Sequence, residues 1–111
     1  MRTATLPPIP DRAATGARLL DRERPSWAHQ VDPERLDMTT ARDDVLGQLY
    51  GDFQAGLDQL VACEPVAQAR PSTWAARHGF DLPIDAGWEH YAQLTEAWRV
   101  ELARRRGGGG R

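Results

Sequence analysis

His29, His78 and His90, together with Glu89, are the side chains in this 111-residue chain whose types suit metal-assisted or hydrolytic chemistry. Imidazole and carboxylate ligands together fit zinc or iron. Their spacing does not assemble such a site. No two histidines stand at i and i+4, and no His-Glu-x-x-His run puts two ligands on one helical face. His90 falls about 100° from Tyr91 on a helix, which turns it toward water. Cys63 follows the apolar run Leu60-Val61-Ala62 and has no adjacent cation to lower its pKa, so it reads as a small buried hydrophobe. No Gly-x-Ser-x-Gly elbow and no phosphate-cradling glycine loop are present. Asp43 and Asp44 are paired carboxylates, but in a first helical turn two acids complement the helix dipole without any catalytic role. No catalytic, metal-binding or cofactor-binding residue is therefore assigned, and no cofactor.

Two further groups are candidates for binding. Arg104, Arg105 and Arg106 could meet an anionic ligand, although three cations in a last helical turn also complement its negative end. The second group is built around glycine. Gly47 and Gly51 stand four apart within a helical pattern, where each costs roughly 0.5–1 kcal/mol relative to Ala. Small residues so placed form a smooth groove, with Asp44, Gln48, Tyr50 and Asp58 around it. This face is the expected docking surface for a partner or a second copy. The alternative is a helix kinked or tolerated at the surface, or a turn splitting it near Gly51; if the face is idle, replacing Gly47 and Gly51 by Ala stabilises the fold.

The elements that must position these groups are helical. Val45, Leu46, Leu49, Tyr50, Phe53, Leu57, Leu60 and Val61 share an arc of about 160° at 100° per residue, which predicts one long amphipathic helix over 41–61. Gly56 projects toward that arc and lets another group approach. A second long helix is expected over 86–106, with Trp88, Tyr91, Leu94, Thr95, Trp98 and Leu102 facing the core. Asp11 caps a first helix that Pro25 ends, and Ala13, Ala17 and Leu20 form its inner side. Trp27 anchors the connector that follows. Asp32-Pro33-Glu34 signals a short helix burying Leu36 and Met38. A short helix from Ser72 or Thr73 ends at Gly79, with Phe80 and Leu82 plugging the core. Residues 1–10, with Pro7, Pro8 and Pro10, read as an extended arm, 62–73 as a linker, and 107–111 as a flexible Gly/Arg tail. The expected fold is thus all-α, a single-domain bundle of about four to five helices spanning 11–106, with long central and C-terminal helices and four core tryptophans.

Composition agrees. Hydrophobic residues make up 41% and charged residues 27%, as in a globular domain. No apolar run approaches the ~20 residues that cross a bilayer. A single Cys excludes a disulfide framework, and no export signal is legible at the N-terminus, so the expected compartment is the cytoplasm. Residues 1–98 carry fifteen Asp/Glu against nine Arg, whereas residues 99–111 carry five Arg against Glu101 alone. An acidic body with a short basic end suits a partner with a basic surface and is a poor match to a nucleic-acid binder. The chain contains no Lys and no Asn, the mark of a GC-rich genome.

The block Val45-Leu46-Gly47-Gln48-Leu49-Tyr50-Gly51-Asp52-Phe53, with His78-Gly79-Phe80 and Leu94-Thr95-Glu96-Ala97-Trp98-Arg99, resembles a group of small proteins of actinobacteria and their phages. That resemblance implies the source and no activity, cofactor or catalytic residue. The expected function is a cytoplasmic, non-catalytic interaction protein that docks onto a macromolecular partner. The alternatives are a small metal-dependent or hydrolytic enzyme using the histidines and Glu89, and a weak nucleic-acid binder acting through the arginine tail.

Overall fold

A computed structural model describes residues 7–63, 71–83 and 86–106. The chain folds as a small all-α domain, with six helices and no strand among the described residues. Helix α1 is Ile9–Glu23, α2 Trp27–Gln30, α3 Val45–Tyr50, α4 Phe53–Ala62, α5 Pro71–Arg77 and α6 Trp88–Arg106. None is long and apolar enough to cross a membrane.

Helix α1 starts earlier than the Asp11 cap implies. Pro8 precedes it and Pro10 lies in its first turn, where the missing N–H has no helical acceptor to lose, so Ile9 and Pro10 belong to the helix and not to an extended arm. Its buried side is Ile9, Ala13, Gly16, Ala17, Leu19 and Leu20, which packs against α6 and α5. After Pro25 the chain reverses through Ser26 at φ 75°, and Trp27 drops into the core as expected. Residues 1–6, 64–70, 84–85 and 107–111, which include the outer arm, most of the linker and the Gly/Arg tail, lie outside the described residues.

No helix follows Asp32-Pro33. Side chains there bind nearby backbone and build turns instead: Asp32 accepts from the Glu34 N–H, Asp37 from the Thr39 N–H and hydroxyl, and Thr40 from the Asp43 N–H. Leu36 and Met38 are nonetheless buried. The loop is held from a distance by α6. The Thr95 hydroxyl accepts from the Met38 N–H at 3.0 Å, and the Arg99 guanidinium donates to the carbonyls of Pro33 and Leu36.

The single rod expected over 41–61 is broken in two. Gly51 takes φ 92°, a left-handed value that suits glycine at a helix end, and Asp52 then caps α4 by accepting from the N–H groups of Gln54 and Ala55. Helix α4 folds back onto α3, and Gly56 sits against the Tyr50 ring and Leu46 with no room for a methyl group. The expected inner residues Val45, Leu46, Leu49, Leu57 and Leu60 are all buried, because each half keeps its own apolar side. Cys63, just past the end of α4, is exposed and not part of the core.

The centre of the domain is aromatic. Phe80 stacks on Trp98 (5.6 Å between ring centroids) and on Trp74 (5.8 Å), while Trp27 meets Trp98 edge to face at 5.7 Å. Helix α5 stops at Gly79, φ 71°, and Leu82 is buried, as the sequence implies. On α6 the buried arc is Leu94, Thr95, Ala97, Trp98, Glu101 and Leu102. Trp88 lies about 100° from the middle of that arc at 3.6 residues per turn, and it points outward, 77% exposed. Three of the four tryptophans, not four, belong to the core.

Candidate functional site

The glycine face does not form a groove. Asp44 is buried, and its carboxylate caps α3 by accepting from the Gly47 N–H at 2.5 Å. Gly47 lies beneath the Ala41–Arg42 backbone, and a methyl group there would collide with the Ala41 carbonyl. Gln48 ties α3 to the preceding loop: its side-chain carbonyl accepts from the Asp32 N–H at 2.7 Å, and its amide donates to the Asp32 and Asp43 carbonyls. Tyr50 is half-buried under the Arg24 guanidinium, 4.6 Å from the ring centroid. Gly51 is an exposed turn, and Asp58 is exposed on α4, where it accepts from Gln54. Gly47 is thus filled by the chain's own loop, and Gly51 serves the break between helices. We expect Gly47→Ala to cost about 1–3 kcal/mol by overpacking. Gly51→Ala should cost about 1–2 kcal/mol, for left-handed backbone carrying a Cβ. Denaturant midpoints check both. Stabilisation by either change would mean that the glycine is open and idle, the alternative to the docking face.

The arginine tail is also engaged internally. Arg105 makes two 2.9 Å bonds to the Asp21 carboxylate and one of 2.7 Å to Glu101, and it lies over the Trp27 ring. The Arg105 hydrogen bond draws the Asp21 carboxyl below its ordinary pKa, and Asp21 in turn raises Arg105. Arg104 pairs with the buried Glu101, and Arg106 donates to the Val31 carbonyl. These contacts fix the end of α6 against α1 and the segment after α2.

The histidines stand apart. His29 is exposed on α2. His78 is stacked on Trp74 at 4.1 Å, with its Nδ1–H donating to the Trp74 carbonyl. His90 is half-buried in a small recess with Arg12 and Leu82, and Glu89 is exposed. Among the described residues no three His, Cys, Asp or Glu side chains are grouped to hold a metal ion.

What the structure does bring together is a recess between the 34–43 loop and the outer face of α6. It encloses about 530 Å³ and is walled by Glu34, Asp37 and Asp43 on the loop side and by Trp88, Tyr91 and Glu96 on the helix. The Trp88 and Tyr91 rings are 6.2 Å apart and tilted by 53°. Two arginines also line it, and both are occupied. Arg35 pairs with Asp43 at 2.8 Å, and Arg99 pairs with Glu96 at 3.2 Å while serving the loop carbonyls. No ion pair among the described residues takes up Glu34 or Asp37. Asp37 is held below the usual carboxylate range, chiefly by the Thr39 hydroxyl and N–H.

Behind Thr39 and Tyr91 lies a smaller cavity of about 170 Å³ that reaches Asp44 and Asp81. The Tyr91 hydroxyl donates to Asp81 at 3.1 Å, and burial with the Asp81 charge pushes the phenol pKa up. Burial raises the Asp44 carboxyl to about 7, helped by the negative charges of Asp81, Asp52 and Asp43 and opposed by the Gly47 N–H. The arrangement favours positive charge at the recess and an apolar surface on the exposed indole. Sequence reasoning placed Trp88 in the core stripe. Its helical phase, at the edge of the stripe and about 40° from the buried Leu102, carries no signal that assigns it outward. Comparison of the chain with protein-family models, with curated proteins and with solved structures gives no match.

Proposed function

We propose that the protein is a non-catalytic interaction module of an actinobacterial or phage cytoplasm, which docks onto a partner macromolecule through the recess beside Trp88. One observation carries this reading: Trp88 is 77% exposed at the lip of an open recess, although the other three indoles are buried in the core. A tryptophan left in water offers its partner one of the largest apolar faces any side chain has, and such residues dominate binding energy where they are covered. The enzyme reading loses support because His29, His78 and His90 are dispersed. The nucleic-acid reading loses it because Arg104, Arg105 and Arg106 are bound within the chain.

The test is site-specific photo-crosslinking in an actinobacterial cell, with benzoylphenylalanine at position 88 and, as a control, at the exposed position 58. A discrete adduct from position 88 that is absent from position 58 is the expected result. An adduct at twice the chain mass identifies the partner as a second copy. Equal or absent crosslinking at position 88 removes the proposal.

A further inference from the structure

We infer that the recess beside Trp88 receives a basic segment of a partner protein, with an arginine or lysine side chain laid across the indole and its charge turned to Glu34 and Asp37. This rests on the docking reading and names the chemistry of the partner. Internal pairing takes up the cations of the recess. Each arginine that lines the recess already serves a carboxylate of the same recess, Arg35 with Asp43 and Arg99 with Glu96. Glu34 and Asp37 have no ion-pair partner among the described residues; the Arg99 charge acts on Asp37 only from a distance, and four acidic residues against two arginines leave the recess net negative. Glu34, Asp37 and Trp88 all line the one recess that a long cationic side chain would enter. A cation over an indole gains ~0.5–1 kcal/mol in water and ~2 kcal/mol when desolvated. A nucleic acid would bring its phosphates against the same carboxylates and be repelled.

The experiment is fluorescence anisotropy with a fluorescein-labelled hexa-arginine peptide, a hexa-citrulline peptide of the same shape without charge, and a labelled single-stranded DNA. Titrations at low and physiological salt use the wild-type protein and three variants. Trp88→Ala and the double change Glu34→Gln with Asp37→Asn alter the recess. The double change Asp11→Asn with Asp58→Asn removes equal charge from exposed positions elsewhere. Circular dichroism confirms that each variant keeps its helical signal.

Hexa-arginine should bind the wild type, and each recess variant should weaken it about three- to thirty-fold. The distant variant should change it less than about two-fold. Equal weakening by the distant variant would reduce the effect to general acidity and overturn the inference. So would unchanged binding to Trp88→Ala, equal binding of the citrulline peptide, or Trp88-dependent binding of the DNA. If the inference fails in any of these ways while position 88 still yields its discrete crosslink, docking stands and only the basic partner is wrong. If the crosslink fails as well, both fall.

Discussion

Trp98→Ala is expected to be the most damaging single substitution in the chain, lowering stability by about 3–5 kcal/mol. Trp98 is 0% exposed and joins three parts of the fold. Its ring stacks on Phe80 and receives the edge of Trp27, and it lies against Gly16 of α1, where an added methyl group would collide with the His78 carbonyl and crowd the indole. Its indole N–H donates to the Gly79 carbonyl at 2.6 Å, at the end of α5. Truncation opens a cavity where α1, α2, α5 and α6 meet and strands a buried carbonyl. A domain of this size has about 5–15 kcal/mol in total, so the variant should melt roughly 15–30 °C lower. Trp98→Phe separates the two losses, since it fills most of the space but leaves the Gly79 acceptor unpaired, at about 1–3 kcal/mol. Thermal unfolding followed by the helical circular dichroism signal measures both. Trp88→Ala is the internal contrast: ten positions earlier on the same helix, it should stay within about 0.5 kcal/mol of wild type. A Trp98→Ala protein melting within a few degrees of wild type would mean that α1 and α6 do not meet through this ring.

That contrast also shows what was legible in the sequence. Helical spacing identifies which residues can share a side, so Leu94, Trp98 and Leu102 were correctly placed inward. It does not say which edge of the arc the rest of the protein covers, and Trp88 stands at the uncovered edge. The break at Gly51 is only an alternative in the sequence for a related reason. The apolar spacing runs on from Leu49 to Phe53 and Leu57 whether the chain continues or turns, so periodicity alone leaves Gly51 as a costly helical residue. The Asp that follows it is the local clue, since left-handed glycine and a capping carboxylate together end one helix and start another. Asp32-Pro33-Glu34 misled in the opposite direction. Its start signal is genuine, but Asp37, Thr39 and Thr40 compete for the backbone, and Arg99 fixes the loop carbonyls from more than sixty residues away. Local chemistry does not contain that arginine. The candidate recess inherits the same difficulty, since one of its walls is this loop.

Between about pH 4 and pH 7 the wild-type protein should lose stability relative to an Asp44→Asn variant, by an amount on the order of 4 kcal/mol over the whole range. Asp44 is 3% exposed, and its folded-state pKa is about 7 against an ordinary 3.8, burial being the largest cause. The sign follows from proton counting. Between those values the folded chain holds a proton on Asp44 that the unfolded chain has released, so raising the pH favours the unfolded state. The contribution is fully present below the unfolded value, is lost as the pH rises through 7, and is flat above it. The groups that face Asp44 act in one direction: Asp43, Asp52 and Asp81 repel its charge, and Tyr91 across the small cavity spends its hydroxyl on Asp81. Only the Gly47 N–H favours ionisation. Asparagine keeps an oxygen to cap α3 and adds no charge, so the two proteins should have similar stability near pH 4 and diverge toward pH 8, with the variant the more stable. Asp44→Ala removes the cap as well and should lose about 0.5–2 kcal/mol relative to Asn at every pH. Denaturant unfolding of the three proteins across this range reads the divergence, and carbon NMR of the Asp44 carboxyl reads its midpoint directly. Parallel wild-type and asparagine curves above about pH 5 would mean that Asp44 titrates as an ordinary carboxylate. Its carboxyl would then be open to water and not buried behind the small cavity.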